Sequence, residues 1–280
     1  MTAAMATMLL SLNSCDLDEY NPGGSTADTA FKSQTGYNTI INSVYAYWGG
    51  QLYGREDPVL LFNGGNDEWI NIANSGYGRQ LSKYEEVLAT TGQYKNTWNR
   101  LYEIINDCNA AIERHPNVIF TDQTMKTVRL GEAHFMRAYA YWHLVENYGN
   151  VDLRTKETKE FEGECRRSSY DDFYKLMLED CDVAIQNLTA QPYPKEDVGR
   201  ATLKAAYGLK ARIALTYVEY LNDQTEKDKY YQMAEDAAKY VIEQNSAFLC
   251  MTPQLKFLPR QTTRQTRRQC LSLRTRLNLH

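Results

Sequence analysis

The sequence predicts an all-α protein built from tetratricopeptide-like helix-pair repeats that are joined by long irregular loops. Long runs of Ala, Leu, Glu, Lys and Tyr are interrupted by only seven prolines in 280 residues, a composition that favours helix. The pattern Asp-Cys-x-x-Ala-Ile occurs at 107–112 and again at 180–185, 73 residues later. The helices that follow the two copies also correspond. The repeated unit is therefore a pair of helix hairpins, about two 34-residue repeats with longer loops, and it predicts a right-handed stack.

The stretch 131–153 organises the rest of the chain. Its apolar residues fall at helical spacing in two stripes, so this helix is predicted to lie between other helices. Gly149 is predicted to end the helix, because a glycine just past the last turn adopts the left-handed conformation at little cost. The stripes consist of Gly131, Phe135, Ala138, Trp142 and Val145, and of Met136, Ala140 and Leu144.

Five further helices are predicted from the same spacing. The box Ser169-x-x-Asp172 begins one of them, since the two side chains can cap the first turn. The helix at 199–221 carries a stripe of small residues, which predicts that a neighbouring helix packs closely against it. The stripe consists of Ala201, Ala205, Gly208 and Ala211. The five predicted helices are 36–48, 93–114, 169–188, 199–221 and 230–245.

The N-terminal residues lie outside the predicted helical domain, which is expected at 36–255. Residues 1–15 combine an apolar run with small residues before Cys15, as in a bacterial lipoprotein signal whose cysteine becomes lipidated. No Lys or Arg precedes this run, and the alternative is a disordered N-terminus with a chance cysteine. Residues 16–35 are rich in Gly, Pro, Ser, Thr and Asp and predict a linker.

The formal net charge of −4 conceals a basic C-terminal segment. Residues 256–280 carry seven of the 31 basic residues and no acid, which leaves 24 basic against 35 acidic residues, a net charge of −11. This acidic balance excludes a nucleic-acid-binding role for the domain, since such a role needs a basic face. The segment is interpreted as non-native sequence from a reading-frame shift. The alternative is a genuine basic tail that contacts anionic lipid.

The candidate ligand-binding residues lie in a glycine-rich segment at 49–91, which shows no sustained helical or alternating period. Long irregular segments within a domain often carry function. Asp67, Trp69, Asn71 and Tyr77 place a carboxylate and an amide next to aromatic rings. Such a mixture can hydrogen-bond hydroxyl groups while a ring face stacks on the ligand. The alternative is a packed loop in which Trp69 covers the core.

No catalytic, metal-binding or nucleotide-binding motif is found. His134 and His143 lie nine residues apart, about 180° around a helix, so they cannot share one metal ion. The HExxH, Walker and GxGxxG patterns are absent, and no cofactor is predicted. Cys108 and Cys181 occupy equivalent repeat positions on apolar faces and are expected to be buried thiols, not parts of a disulfide framework.

Three stretches resemble the SusD/RagB family of surface lipoproteins. Residues 132–141 read EAHFMRAYAY and are followed by Tyr-Gly-x-Val at 148–151, which resembles the family's most recognisable phrase. Residues 199–202 read GRAT and resemble a second family stretch. Residues 12–15, with acidic residues just behind them, resemble the lipidation and surface-export signal.

The resemblance covers about 15–256, the N-terminal part of a family whose members are considerably longer. His134 stands where the family usually has Arg or Lys, and Asp152 where it usually has proline. The resemblance implies a further C-terminal part that supplies much of the glycan-contacting surface, and this part is expected to be missing or frameshifted here.

The resemblance implies a non-catalytic lipoprotein of Bacteroidetes that captures oligosaccharides or polysaccharides and delivers them to a TonB-dependent SusC-like porin. It also implies an outer-membrane, cell-surface location with a lipid anchor at Cys15. Helices would form the scaffold and irregular loops would present aromatic rings to sugar. The segment that contains Asp67, Trp69, Asn71 and Tyr77 corresponds in position to such a loop.

Two other functional classes remain open. A tetratricopeptide-type interaction lipoprotein would bind a peptide partner on its concave helix face. An α-helical glycosidase would need two carboxylates in a pocket at catalytic separation.

Overall fold

The computed structural model describes residues 31–54, 61–63, 76–83, 92–159, 165–190 and 197–243. The regular structure of these ranges is helical, apart from two isolated β-bridges. The prediction of an all-α fold is confirmed. The α-helices are α1 (Gln34–Ala46), α2 (Gly76–Lys83), α3 (Gly92–Arg114), α4 (Gln123–Tyr148), α5 (Tyr170–Asn187), α6 (Leu203–Tyr217) and α7 (Gln224–Glu243). A π-helix (Tyr47–Leu52) continues α1, and short 3-10 helices follow α3 and α6.

Helix α4 lies in the interior of the stack, as its two apolar stripes predicted. It packs against α3 on one side and against α5 on the other, while α6 packs against α5 and α7 packs against α6. Ala138, Ala140, Leu144 and Val145 are at most 2% exposed. A helix with two apolar faces buries both of them only between two neighbours, which explains this position.

Both ends of α4 are capped, and its start lies eight residues before the predicted stretch. The side chain of Asp122 accepts a hydrogen bond from Met125 N at 3.0 Å, which satisfies one of the free backbone donors of the first turn. At the other end Gly149 adopts φ +72° and donates to Val145 O at 2.9 Å. Gly149 therefore ends α4 as predicted, but its ψ of −146° lies outside the left-handed helical region.

The equivalent cysteines of the two repeats lie in the core. Cys108 and Cys181 are both 0% exposed and form no disulfide. Burial raises the pKa of both thiols, since a thiolate would lose its hydration there. The prediction that they act as small hydrophobic side chains is confirmed.

The capping box before α5 is also confirmed. Asp172 N donates to Ser169 Oγ at 3.1 Å, and Ser169 N donates to Asp172 Oδ2 at 3.2 Å. The two residues thus satisfy each other's backbone donors, and α5 begins at Tyr170.

The predicted boundaries and packing face of α6 are wrong. Gly199 has φ +101°, a left-handed conformation outside a helix, and the side chain of Thr202 caps a helix that begins at Leu203. Gly208 is exposed, so the small-residue stripe does not form the packed face. The buried face instead consists of Ala206, Leu209, Ile213, Ala214 and Tyr217.

The prediction of an irregular segment at 49–91 is also wrong in two places. The π-helix extends to Leu52, and α2 occupies Gly76–Lys83. The predicted linker at 16–35 ends earlier than expected, because Lys32 O accepts a hydrogen bond from Ile119 N at 3.0 Å and α1 begins at Gln34. The glycines and polar residues of these stretches give no local helix signal, because tertiary contacts stabilise these short helices.

Two glycines in helices are expected to respond in opposite directions to alanine substitution. A Cβ at Gly131 would lie 3.0 Å from Asn187 Cβ and 3.1 Å from Leu188 Cγ, where α4 and the end of α5 approach closely. Gly131→Ala should therefore lower the free energy of unfolding by about 1–2 kcal/mol despite its better helix propensity. Gly208→Ala meets no atom within 4 Å and should raise it by about 0.5–1 kcal/mol. Urea unfolding of both variants tests this, and equal responses would contradict it.

Candidate functional site

The ligand-binding residues predicted from the sequence lie mostly outside the described part of the chain. Asp67, Trp69 and Asn71 are outside the described residues, as are Cys15 and residues 256–280. Tyr77 belongs to α2, not to a loop as predicted, and its side chain is outside the described residues. The structure therefore leaves the contacts of these side chains as predictions.

Described residues that precede this segment form a cluster with aromatic rings of α4, which we name the aromatic surface. It comprises Trp48, Tyr53, Phe62, Tyr139 and Trp142, with His143 among them. Trp48 stacks on Tyr139 with ring centroids 4.6 Å apart, and Phe62 lies 4.2 Å from the ring of His143. Tyr139 and Trp142 lie 6.4 Å apart with an interplanar angle of only 3°. The aromatic surface thus combines rings from α4, from the π-helix and from the residues beyond it.

Two hydrogen bonds hold Tyr53 on the aromatic surface. Its hydroxyl lies 2.5 Å from the Tyr139 hydroxyl and 2.9 Å from His143 Nε2. Burial, followed by the hydrogen bond with Tyr139, raises the pKa of Tyr53 above its usual range. Burial, followed by repulsion from Arg212, lowers the pKa of His143 to about 3. At neutral pH both groups are uncharged, so the aromatic surface presents rings and neutral polar atoms.

Part of the aromatic surface is open to solvent. Tyr53 is 43% exposed, whereas Trp48 is 6% exposed. Tyr139 and Trp142 are half-buried, and the guanidinium of Arg212 lies 5.0 Å from the Trp142 ring. Exposed ring faces beside hydroxyl and guanidinium donors can stack on the C–H face of a sugar and hydrogen-bond its hydroxyls.

Sequence reasoning placed Phe135 and Trp142 in an apolar packing stripe and missed the aromatic surface. Trp142 belongs to one predicted apolar stripe, and the stripe model expects such residues to be fully covered. The signal that could have found the surface is the spacing of Phe135, Tyr139 and Trp142, which places three rings on one side of α4. Within the described ranges the indole nitrogen of Trp142 has no hydrogen-bond partner.

The family-like phrase at 132–141 forms buried ion pairs and contributes no charged group to the aromatic surface. Glu132, 0% exposed, accepts from Arg129 Nη1 at 2.6 Å and from Arg200 Nη1 at 3.1 Å. Arg200 belongs to the second stretch, at 199–202, and its Nε donates to Asp197 Oδ1 at 2.6 Å. These charges therefore join α4 to the segment before α6.

A second buried pair joins α4 to α5 and α3. The guanidinium of Arg137 donates to both carboxylate oxygens of Asp180, at 2.7 and 2.8 Å, and to Asn109 Oδ1 at 2.9 Å. His134 Nδ1 lies 2.6 Å from Asp180 Oδ1. His134 and His143 thus have separate partners.

No cluster of three or more His, Cys, Asp or Glu side chains suited to a metal ion occurs in the described ranges. Among the helices described, none combines the length and apolar character needed to cross a membrane.

Comparison with known proteins identifies similar proteins both by sequence and by fold. A SusD-like family model, described as starch-binding and associating with the outer membrane, matches residues 17–215. The SusD-like protein P2 of Formosa agariphila is 25% identical over 251 residues, which cover 86% of this chain and 46% of that protein. The chain thus spans less than half the length of this relative.

Two solved structures share the fold at low sequence identity. A structure with xylogluco-oligosaccharide superposes with a TM-score of 0.63 at 22% identity, over 75% of this chain and 40% of that one. A laminarin-binding SusD-like protein gives a TM-score of 0.61 at 21% identity, over 76% and 44%. The family model covers more than half of the sequence, and the resemblance noted at 132–141 and 199–202 is confirmed: the chain belongs to the SusD-like family.

Proposed function

We propose that the protein is a non-catalytic, glycan-binding surface lipoprotein that captures oligosaccharides and delivers them to a TonB-dependent SusC-like porin in the outer membrane. Membership of the SusD-like family supports this proposal. Two proteins of the same fold, one named as laminarin-binding and one solved with xylogluco-oligosaccharide, support glycan as the ligand class. Lipidation of Cys15 would anchor the protein at the cell surface.

The observation that carries the proposal is the aromatic surface, to which Tyr53 and Phe62 of the glycine-rich segment 49–91 contribute. Tyr53 and Phe62 belong to this surface and precede Trp69 in the chain, Phe62 by seven residues. We infer that Asp67, Trp69 and Asn71, together with Tyr77, complete a sugar-binding face there. Each aromatic stacking contact contributes about 1 kcal/mol, so binding by a few rings is weak and gains from several contacts along one glycan.

The test is electrophoresis in native gels that contain soluble starch, laminarin or xyloglucan. At least one polysaccharide should retard the protein, and Trp69→Ala should weaken the apparent affinity about five- to tenfold, which corresponds to the loss of one stacked ring. Tyr231→Ala is the matched control, because Tyr231 is a 46% exposed tyrosine on α7, away from the aromatic surface. It should migrate like the parent.

Three results would contradict parts of the proposal. Absence of retardation by every polysaccharide would reject glycan binding by this chain. Retardation that Trp69→Ala leaves unchanged would reject the proposed loop residues while leaving glycan binding in place. Release of reducing sugar by the purified protein would reject the non-catalytic role and favour a glycosidase.

A further inference from the structure

A separate cleft lies between α3 and the chain that follows α4. Its volume is about 610 Å³, within the range of about 300–1,000 Å³ that small-molecule sites occupy. Among its lining residues are Trp98, Tyr102 and Tyr148, together with Asp152 and Arg154. We call it the α3 cleft. None of its described lining residues belongs to the aromatic surface.

We propose that the α3 cleft is a second carbohydrate-binding site, which takes one or two rings of a neutral sugar independently of the aromatic surface. The inference rests on the proposed function for its ligand class, since both sites would engage the same glycans. It assigns binding to the helical part of the chain, where sequence reasoning expected only scaffold.

The aromatic residues of the α3 cleft form an angled wall. The rings of Trp98 and Tyr102 lie 5.0 Å apart with an interplanar angle of 48°, and Trp98 meets Tyr148 edge to face at 5.1 Å and 85°. All three side chains are only partly buried. A pyranose has apolar C–H faces and a polar rim, so an angled pair of rings can cover one face and one edge of it.

Hydrogen bonds fix these rings before any ligand arrives. Tyr102 donates its hydroxyl hydrogen to Asp152 O at 2.8 Å, and Tyr148 donates to Tyr94 O at 2.7 Å. Each hydroxyl oxygen keeps lone pairs that can accept from a ligand. A wall that is already ordered loses little conformational entropy on binding, which favours affinity.

Hydrogen bonds also fix the polar groups of the cleft before a ligand binds. Arg154 Nε donates to Asp152 Oδ2 at 2.8 Å, which orients both groups. Asn106 Oδ1 accepts a hydrogen bond from Thr158 N at 2.7 Å, so the amide nitrogen of Asn106 points away from Thr158 N. Asn99 is exposed at the rim. Guanidinium, carboxylate and amide groups in fixed positions are suited to the hydroxyls of a sugar.

The charges of the cleft favour a neutral ligand. Its two carboxylates are both paired, Asp152 with Arg154 and Glu103 with Arg100. Arg166 and Arg167 are exposed at the rim, where water and salt screen their charge. The interior of the cleft therefore offers hydrogen bonds in place of a net charge. A polyanionic glycan is the rival ligand.

Cys165 provides a reporter for this cleft alone. It lines the cleft and is exposed, and its Sγ lies 3.8 Å from Arg154 Nη2. Cys108 and Cys181 are fully buried, so we expect neither thiol to react in the folded protein. Replacing Cys15, Cys250 and Cys270 with serine leaves Cys165 as the reactive thiol. The rate of its reaction with a chromogenic disulfide reagent then measures access to the α3 cleft.

The experiment measures this rate with malto-, laminari- and xylogluco-oligosaccharides and with a galacturonate oligosaccharide. A neutral oligosaccharide at ten times its Kd should slow the reaction about tenfold, because only the empty fraction reacts. In the same background Asn99→Trp, which fills the rim without removing a core contact, should abolish this protection. Thr225→Trp, an exposed position on α7, is the matched control and should retain it, as should Trp69→Ala.

The outcomes separate this inference from the proposed function. Unchanged thiol reactivity with every oligosaccharide, while polysaccharide gels still retard the protein, would reject the cleft and leave glycan binding in place. Protection by the galacturonate oligosaccharide alone would reject a neutral ligand. Protection that survives Asn99→Trp would place the effect outside the cleft. The absence of both thiol protection and gel retardation would reject both proposals.

Discussion

Replacing Arg137 with alanine is expected to lower the free energy of unfolding by about 3–5 kcal/mol. Arg137 is 5% exposed and Asp180 is 2% exposed. The guanidinium forms two hydrogen bonds to the carboxylate of Asp180 and one to Asn109 Oδ1. Without Arg137, the carboxylate and the amide would remain in the core with their main donor removed. The cost comes from this uncompensated burial.

The charge state of Arg137 follows from the same contacts. Burial on its own would lower the pKa of Arg137, but the hydrogen bonds and attraction to Asp180 raise it above its usual value. Arg137 therefore keeps its positive charge in the folded protein. A double replacement, Arg137→Met with Asp180→Leu, removes both charges together. It should recover most of the stability that Arg137→Ala loses, because no unpaired charge remains.

Urea unfolding followed by far-UV circular dichroism measures these differences. Arg212→Ala is the matched control: Arg212 is an exposed arginine whose guanidinium lies over the Trp142 ring, and its loss should cost less than about 1 kcal/mol. If Arg137→Ala unfolds within 1 kcal/mol of the parent, the ion pair does not hold α4 to α5. A double variant less stable than Arg137→Ala would show that the pair contributes net attraction beyond compensating for its burial.

The buried charges show what the sequence could and could not predict. The apolar stripes of α4 gave its position between two helices, because spacing alone defines the faces of a helix. The same sequence could not assign Glu132 and Arg137 to the core. Their partners Arg200 and Asp180 lie 68 and 43 residues further along the chain, and nothing local indicates such pairs. The phrase at 132–141 identified the family without revealing why it has this composition.

The sites were predicted less well than the fold for a related reason. Trp98 and Tyr102 lie in the predicted helix 93–114, for which only a scaffold role was expected, yet they line the α3 cleft because the chain after α4 returns beside them. Helical spacing reports which residues share a face, whereas a cleft depends on where a distant loop ends. Trp69, by contrast, was chosen for its neighbours in the sequence, and its role remains a proposal.

A pH-dependent loss of stability is expected from His143. The side chain is 5% exposed among the rings of the aromatic surface, and the positive charge of Arg212 disfavours its protonated form. Burial and Arg212 lower its pKa to about 3 in the folded protein, whereas an unfolded histidine has a pKa of about 6.5. Between these values the unfolded chain binds a proton that the folded protein excludes. The contribution of neutral His143 to stability is therefore fully present above pH 6.5 and is lost as the pH decreases towards 3.

His143→Gln isolates this contribution, because glutamine does not titrate and still offers a polar group to Tyr53. Between pH 7 and pH 4.5 the parent should lose about 2–3 kcal/mol more of its free energy of unfolding than the variant does. Every other titratable group is present in both proteins, so the contributions of those groups cancel in the difference. Urea unfolding at the two pH values measures it. Equal losses in the two proteins would mean that burial does not keep His143 neutral in the folded state. The side chain would then be accessible to solvent or already protonated. If it is protonated, the imidazolium would donate a hydrogen bond to the Tyr53 hydroxyl.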